Sequence, residues 1–162
     1  MDIDAKRALA RIFEAWVDLK AAETLLEEGI ESRALFHAQQ CVEKSMKACL
    51  SKVIIGELRS HKVVPYFKEK ILPKLPTEIK EKFEKLDDII WVEERWIDTR
   101  YEEIRGKKIK IPSLSFGFED ARKGVEVARK VILDCIDIVN YIFKLNVPKD
   151  YKKIKDMIWK EE

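Results

Sequence analysis

Residues 36–50 read FHAQQCVEKSMKACL, and this stretch decides the fold. Around it, Leu35, Ala38, Val42, Met46, Cys49 and Val53 recur at steps of three and four, which places them on the buried face of an α-helix from about Ser32 to about Ile55. Gln40, Lys44 and Lys47 follow helical spacing along another side, so one face packs and the other presents an amide and two cations. Gly56 ends the helix. Upstream, Ala5, Leu9, Ile12, Trp16, Leu19, Ala22 and Leu26 form a second apolar stripe, predicting a helix from Asp4 to about Glu28 that stops at Gly29. The link between the two helices is a few residues long, so they pack as antiparallel neighbours.

Downstream, Ser60 reads as the N-cap of a short helix through about Leu72, with Pro65 tolerated in its early turns. Pro73 and Pro76 close it. A run from Thr77 to about Glu103 carries Ile79, Phe83, Leu86, Ile90 and Ile97 at helical spacing. Arg105–Gly117, with Gly106 and Pro112, reads as a loop with room for a short extended piece. Another long amphipathic helix follows from Phe118 to about Leu145, ended by Asn146 and Pro148. A last short helix, Lys149 to about Lys160, could tuck Tyr151, Ile154, Ile158 and Trp159 against the bundle or another subunit. The expected fold is therefore all-α: an antiparallel up-down bundle of four main helices plus short additional helices, with residues 1–162 as a single domain.

Charged residues make up 38% of the chain and hydrophobic ones 46%, with only five glycines and five prolines, which excludes disordered and collagen-like readings. The net charge of +2 supplies no broad field for nucleic acid, so any such binding needs a local patch. No apolar run approaches the ~20 residues of a membrane span, and the start MDIDAKRALARIF lacks a signal peptide's apolar stretch, so a soluble, cytoplasmic protein is expected. The only glutamines are Gln39 and Gln40 and the only asparagines Asn140 and Asn146, a thermophile-like scarcity of thermolabile amides. An adjacent glutamine pair in such a chain asks for a reason.

Cys41, Cys49 and Cys135 are odd in number, lack CxxC spacing and sit in apolar-periodic segments, so buried free thiols are expected. The sequence has no Glu-x-x-His. Its two histidines are His37 and His61, and the pair His37 and Cys41 offers two ligands where a metal site needs three or four, so no metal is expected. GxSxG, Walker and GxGxxG signatures are absent. Asp87, Asp88, Glu93, Glu94, Asp98, Glu102 and Glu103 read as a solvated helix face, with a paired-carboxylate site as the alternative. The basic run Arg105, Lys107, Lys108 and Lys110 suits either phosphate contacts or a surface loop with no ligand.

The helix at 36–50, the Ser60-His61-Lys62 start of the third helix and the segment Trp96-Ile97-Asp98-Thr99-Arg100-Tyr101 could converge at one end of the bundle. With the first helix ending in LLEEG and the AQQ-x-x-E-K-x-x-K-A pattern, these residues resemble the HEPN family, the higher-eukaryote and prokaryote nucleotide-binding domains. The resemblance covers most of the chain to about Tyr101, with a compatible long helix after it.

What it implies is a helical bundle that commonly forms a homodimer, and one of two activities. Some members bind nucleotides or pair with small nucleotidyltransferases; others are metal-independent ribonucleases, often toxins of toxin-antitoxin pairs, with an Arg-x(4–6)-His motif. Arg100 looks like the motif arginine, but Arg105, Gly106 and Lys107 stand where the histidine falls. Arginine cannot accept and return a proton near neutral pH, which the ribonuclease reaction requires.

The primary expectation is thus binding of a nucleotide or an RNA phosphate, with no cofactor. Arg100 clamps phosphate, Tyr101 stacks or hydrogen-bonds, Gln40 reads a polar edge, Lys44 supplies charge, and His61 completes the site. One alternative is a metal-independent endoribonuclease using Arg100 and His61. Another is a structural helical module without a ligand, in which Arg100 forms a salt bridge to an acidic neighbour and Tyr101 packs.

Overall fold

The computed structural model describes residues 1–54 and 56–159. Helix α1 spans Ile3–Glu27 and begins where the Asp2 carboxylate accepts the Ala5 backbone N–H at 2.7 Å. It ends where Gly29 takes the left-handed φ of 69° that a β-carbon would resist, and the chain turns into α2 (Glu31–Cys49). Cross-links between the two helices run in opposite numerical order, Arg11 to Ser51 and Asp18 to Lys44 and His37, so the pair is antiparallel. A 3₁₀ turn at Leu50–Lys52 follows α2. The expected continuation to Ile55 lies outside the described residues.

Helix α7 (Phe118–Phe143) runs beside α2 in the same direction: Cys41 Sγ lies 3.8 Å from the Ala128 carbonyl and Cys49 Sγ 3.7 Å from that of Cys135. The three cysteines are buried free thiols, and burial pushes the thiols of Cys41 and Cys135 upward. Gly124 leaves room on α7 for the fully buried Leu35 side chain, whose Cδ1 would collide with a β-carbon at that position.

The fourth strut of the bundle departs from the unbroken helix expected over Thr77–Glu103. It consists of α4 (Thr77–Lys80), a 3₁₀ turn at Glu81–Phe83, α5 (Asp87–Glu93) and α6 (Arg95–Asp98). The reason is phase. From buried Phe83, a continuous helix would bring residue 90 to the core seven positions on, whereas the core takes Ile89 and Val92. The break absorbs the one-residue mismatch. The strut still runs antiparallel to α7, pairing Lys82 with Asp137 and Asp88 with Lys123.

The third helix also starts later than expected. Helix α3 is Val64–Lys70, with Pro65 in its first turn, and Ser60 does not cap it. The Glu93 carboxylate takes that role, accepting the backbone N–H groups of Val63 and Val64. One member of the acidic run is therefore a buried cap rather than solvated surface. After α6 the expected loop contains a hairpin, β1 (Glu103–Arg105) with β2 (Lys108–Lys110), closed by Gly106 at φ 62°. Helix α8 (Tyr151–Trp159) packs Tyr151 on Phe13, ring centroids 5.7 Å apart, and buries Ile154. Its expected end at Lys160, and the side chain of Trp159, lie outside the described residues. Among the described residues no helix is long and apolar enough to cross a membrane.

Candidate functional site

Helix α2 carries two polar stripes. His37 and Lys44, two turns apart, face α1, where the nearly buried Asp18 carboxylate binds both: Nδ1 of His37 at 2.8 Å and Nζ of Lys44 at 2.5 Å. Phe36, Gln40, Glu43 and Lys47 advance in steps of four, three and four along another line. Glu43 is the hub of that second stripe. Its Oε1 accepts from Lys47 Nζ at 2.7 Å, and its Oε2 from Gln39 Nε2 at 3.0 Å and His61 Nδ1 at 3.0 Å. Gln40 in turn donates to Gln39 Oε1 at 2.7 Å. The glutamine pair therefore exists to build an amide chain onto a buried carboxylate. Burial opposes ionisation of Glu43, yet the hydrogen bonds from Lys47, Gln39 and His61 outweigh it and hold the carboxyl below its ordinary value. Because an ionised carboxylate only accepts, Nδ1 of His61 donates, which leaves Nε2 with the lone pair in the neutral ring.

The His61 ring lies on Trp96, with centroids 4.2 Å apart and planes 22° from parallel. Four residues later, Arg100 donates from Nε to the Trp96 carbonyl at 2.9 Å. Its guanidinium carbon stands 5.4 Å from the Trp96 ring, 5.3 Å from Phe36 and 5.1 Å from Tyr101. Trp96 thus joins His61 and Arg100 through one indole, and Phe36, one turn before Gln40, joins Arg100 to α2. The turn holding Arg100 is pinned from below: Thr99 is fully buried, its hydroxyl donates to the Arg95 carbonyl at 2.7 Å, and its own carbonyl accepts from Arg33 at 2.8 Å. Among the described residues no carboxylate lies within 4.0 Å of the Arg100 guanidinium.

The sequence-predicted residues therefore separate into groups. Arg100 and His61 meet at Trp96, Tyr101 lies against Arg100, and Gln40 reaches His61 through Gln39 and Glu43. Lys44 does not join them; it is bound to Asp18 on the α1 side. Tyr101 is 58% exposed and borders a hollow of about 320 Å³ shared with Asp98, Glu102, Glu103, Arg105 and Lys110. The positions of the missing motif histidine fall on the hairpin, with Arg105 ending β1 and paired to Glu103 at 2.9 Å. Residues not singled out from the sequence are Trp96, Phe36 and Glu43. The signals were there: Trp96 precedes Arg100 by four, and Glu43 follows Gln39 and precedes Lys47 by four. Among the described residues, no three His, Cys, Asp or Glu side chains gather as a metal set.

Fold and site together define an all-α up-down bundle that presents an arginine in an aromatic cage beside a carboxylate-held histidine. Residues 8–139 match the HEPN domain family, and the chain belongs to it. It is 33% identical over 139 residues to a protein of Methanocaldococcus jannaschii named "Putative toxin MJ1304", covering 78% of this chain and 84% of that one. Two crystal structures share the fold. TT1696 from Thermus thermophilus superposes with a TM-score of 0.61 at 20% identity, and ST0689, described as an archaeal HEPN homologue, with 0.58 at 22%. Each comparison covers 82% of this chain and 98% of the other.

Proposed function

We propose that the protein binds a nucleotide or a nucleic-acid phosphate at the Arg100 cluster. The observation that carries this reading is the guanidinium itself: three rings and a carbonyl fix it, and no carboxylate of the described residues neutralises it. A structural arginine at a helix end is ordinarily paired with an acidic neighbour; this one keeps its terminal nitrogens for an incoming anion. The exposed Tyr101 offers a face on which a base stacks. Gln40, whose nitrogen is engaged by Gln39, has a carbonyl oxygen to accept from a base edge.

We further propose, from the family resemblance, a role beside a small nucleotidyltransferase and assembly as a homodimer, both open to co-purification and sedimentation. The binding reading is tested by thermal shift with millimolar mononucleotides and with RNA, because a ligand of the folded state raises the melting point. The expected result is a shift that Arg100→Ala abolishes; no shift with any of these ligands favours a helical module without a ligand.

A second reading, a metal-independent endoribonuclease, draws on the His61–Glu43 hydrogen bond and on the relative named as a toxin. His61, oriented by Glu43, would take the proton of an RNA 2′-hydroxyl at Nε2 while Arg100 holds the phosphate. Its test is RNA cleavage in excess chelator. Cleavage that survives in both Arg100→Ala and His61→Ala removes this site from the reaction.

A further inference from the structure

We infer that the groove between α1 and α2 at Arg7, Arg11 and Lys47 is a second phosphate subsite, so that the ligand of the Arg100 cluster is a nucleic-acid strand rather than a lone nucleotide; this rests on the binding reading above. The groove encloses about 310 Å³. Four cations line it, Arg7, Arg11, Lys44 and Lys47, but they are unequally neutralised. Lys44 is matched by Asp18 at 2.5 Å and Lys47 by Glu43 at 2.7 Å. Arg7 has only Asp4 at 3.4 Å, on its own helix. Arg11 has no carboxylate of the described residues within 4.0 Å; its Nη1 donates to the Lys47 carbonyl and to Ser51 Oγ, each at 3.0 Å.

Those two bonds fix Arg11 with its other nitrogens uncommitted. Burial, then repulsion from Arg7, lowers the Arg11 pKa, and Glu57 offsets this only in part. An anion bound between Arg7 and Arg11 would relieve the crowding. Three carboxylates also line the groove, and none forms an ion pair with Arg11: Glu43 is saturated by its three donors, Glu14 is exposed beside Lys44, and Glu57 stands beyond 4.0 Å from the guanidinium and offsets its crowding only in part.

A chain of side-chain contacts through the buried Glu43 links the groove to the Arg100 cluster. That residue lines the groove, holds Lys47 with one oxygen and His61 with the other, and His61 lies on the ring that supports Arg100. A strand with one phosphate on Arg100 and a base against Tyr101 would pass His61 to reach Arg11 and Arg7.

The test is fluorescence anisotropy with a labelled single-stranded RNA of about 12 nucleotides, within the range of single-strand site sizes, and with a labelled mononucleotide, each across a salt series. Arg7→Gln and Arg11→Gln are each expected to weaken the RNA roughly threefold or more and to reduce the salt slope by about 0.7, leaving the mononucleotide unaffected, whereas Arg100→Ala weakens both. RNA binding no tighter than mononucleotide binding, or wild-type RNA affinity and slope in both groove variants, overturns the subsite while the Arg100 site stands. Loss of the groove effects together with an unaltered Arg100→Ala overturns both readings. Arg7 has no tertiary hydrogen bond among the described residues, so Arg7→Gln decides the matter if Arg11→Gln fails to fold.

Discussion

Replacing Glu43 by alanine removes the acceptor for three donors at once, and the structure sets the cost of each. Gln39 is 1% exposed and its amide nitrogen has no other partner among the described residues, so it pays the full penalty of an unmade buried hydrogen bond, about 1–3 kcal/mol. Lys47 and His61 are partly exposed and can turn to water, so each loses about 0.5–1 kcal/mol. The sum is about 2–5 kcal/mol, or roughly 4–20 °C in melting temperature for a chain of this size. The effect has a pH signature. Because hydrogen bonds hold the Glu43 carboxyl below its ordinary value, its contribution is complete above the unfolded carboxyl pKa and is lost as pH falls through the lower folded value. Urea denaturation followed by circular dichroism at pH 7 and near pH 3 measures both. A loss under 0.5 kcal/mol at pH 7, or a gap between wild type and variant that stays constant on acidification, refutes the hub role of Glu43.

Glu93 has the opposite sign. Burial raises its pKa, with the charge of Glu43 adding to it and the Val63 and Val64 N–H groups opposing, so its effect favours the fold at low pH and fades as pH rises through the raised folded value. Glu93→Gln, which keeps an oxygen for those two donors, is expected to hold or raise stability at pH 7 and to flatten the dependence above the unfolded carboxyl pKa, whereas Glu93→Ala loses about 2–6 kcal/mol by stranding two backbone donors; denaturation at several pH values separates them. Gly124→Ala gains about 1 kcal/mol of helix propensity but must displace buried Leu35 at about 1–3 kcal/mol, for a net loss near 1 kcal/mol in urea midpoint analysis. A gain would mean that Leu35 rotates away freely.

The helices α1, α2 and α7 were legible because their apolar residues keep one period over five or more turns. The fourth strut was not, since the single-residue phase slip between Phe83 and Ile89 is invisible to a pattern that tolerates steps of three or four. The hairpin at Gly106 carried a local signal, a Gly-first two-residue turn between Ile104 and Ile109, which the basic composition of the segment obscured. In the site, the proximity of Arg100, His61 and the glutamine chain followed from which segments converge. The parting of Lys44 toward Asp18 depended on how α1 sits against α2, which spacing on α2 alone does not contain. Glu93 was misread for a related reason: a buried carboxylate and a solvated one look alike until the backbone donors they meet are in place.

The binding claim is tested most directly by titrating the ¹⁵N-labelled protein with single-stranded RNA and following the side-chain N–H signals of its tryptophans and arginines. The indole of Trp96 and Nε of Arg100 are expected to shift in a saturable way, with the buried indole of Trp16 unmoved. Saturable shifts confined to other residues, with Trp96 and Arg100 unchanged, would contradict the account.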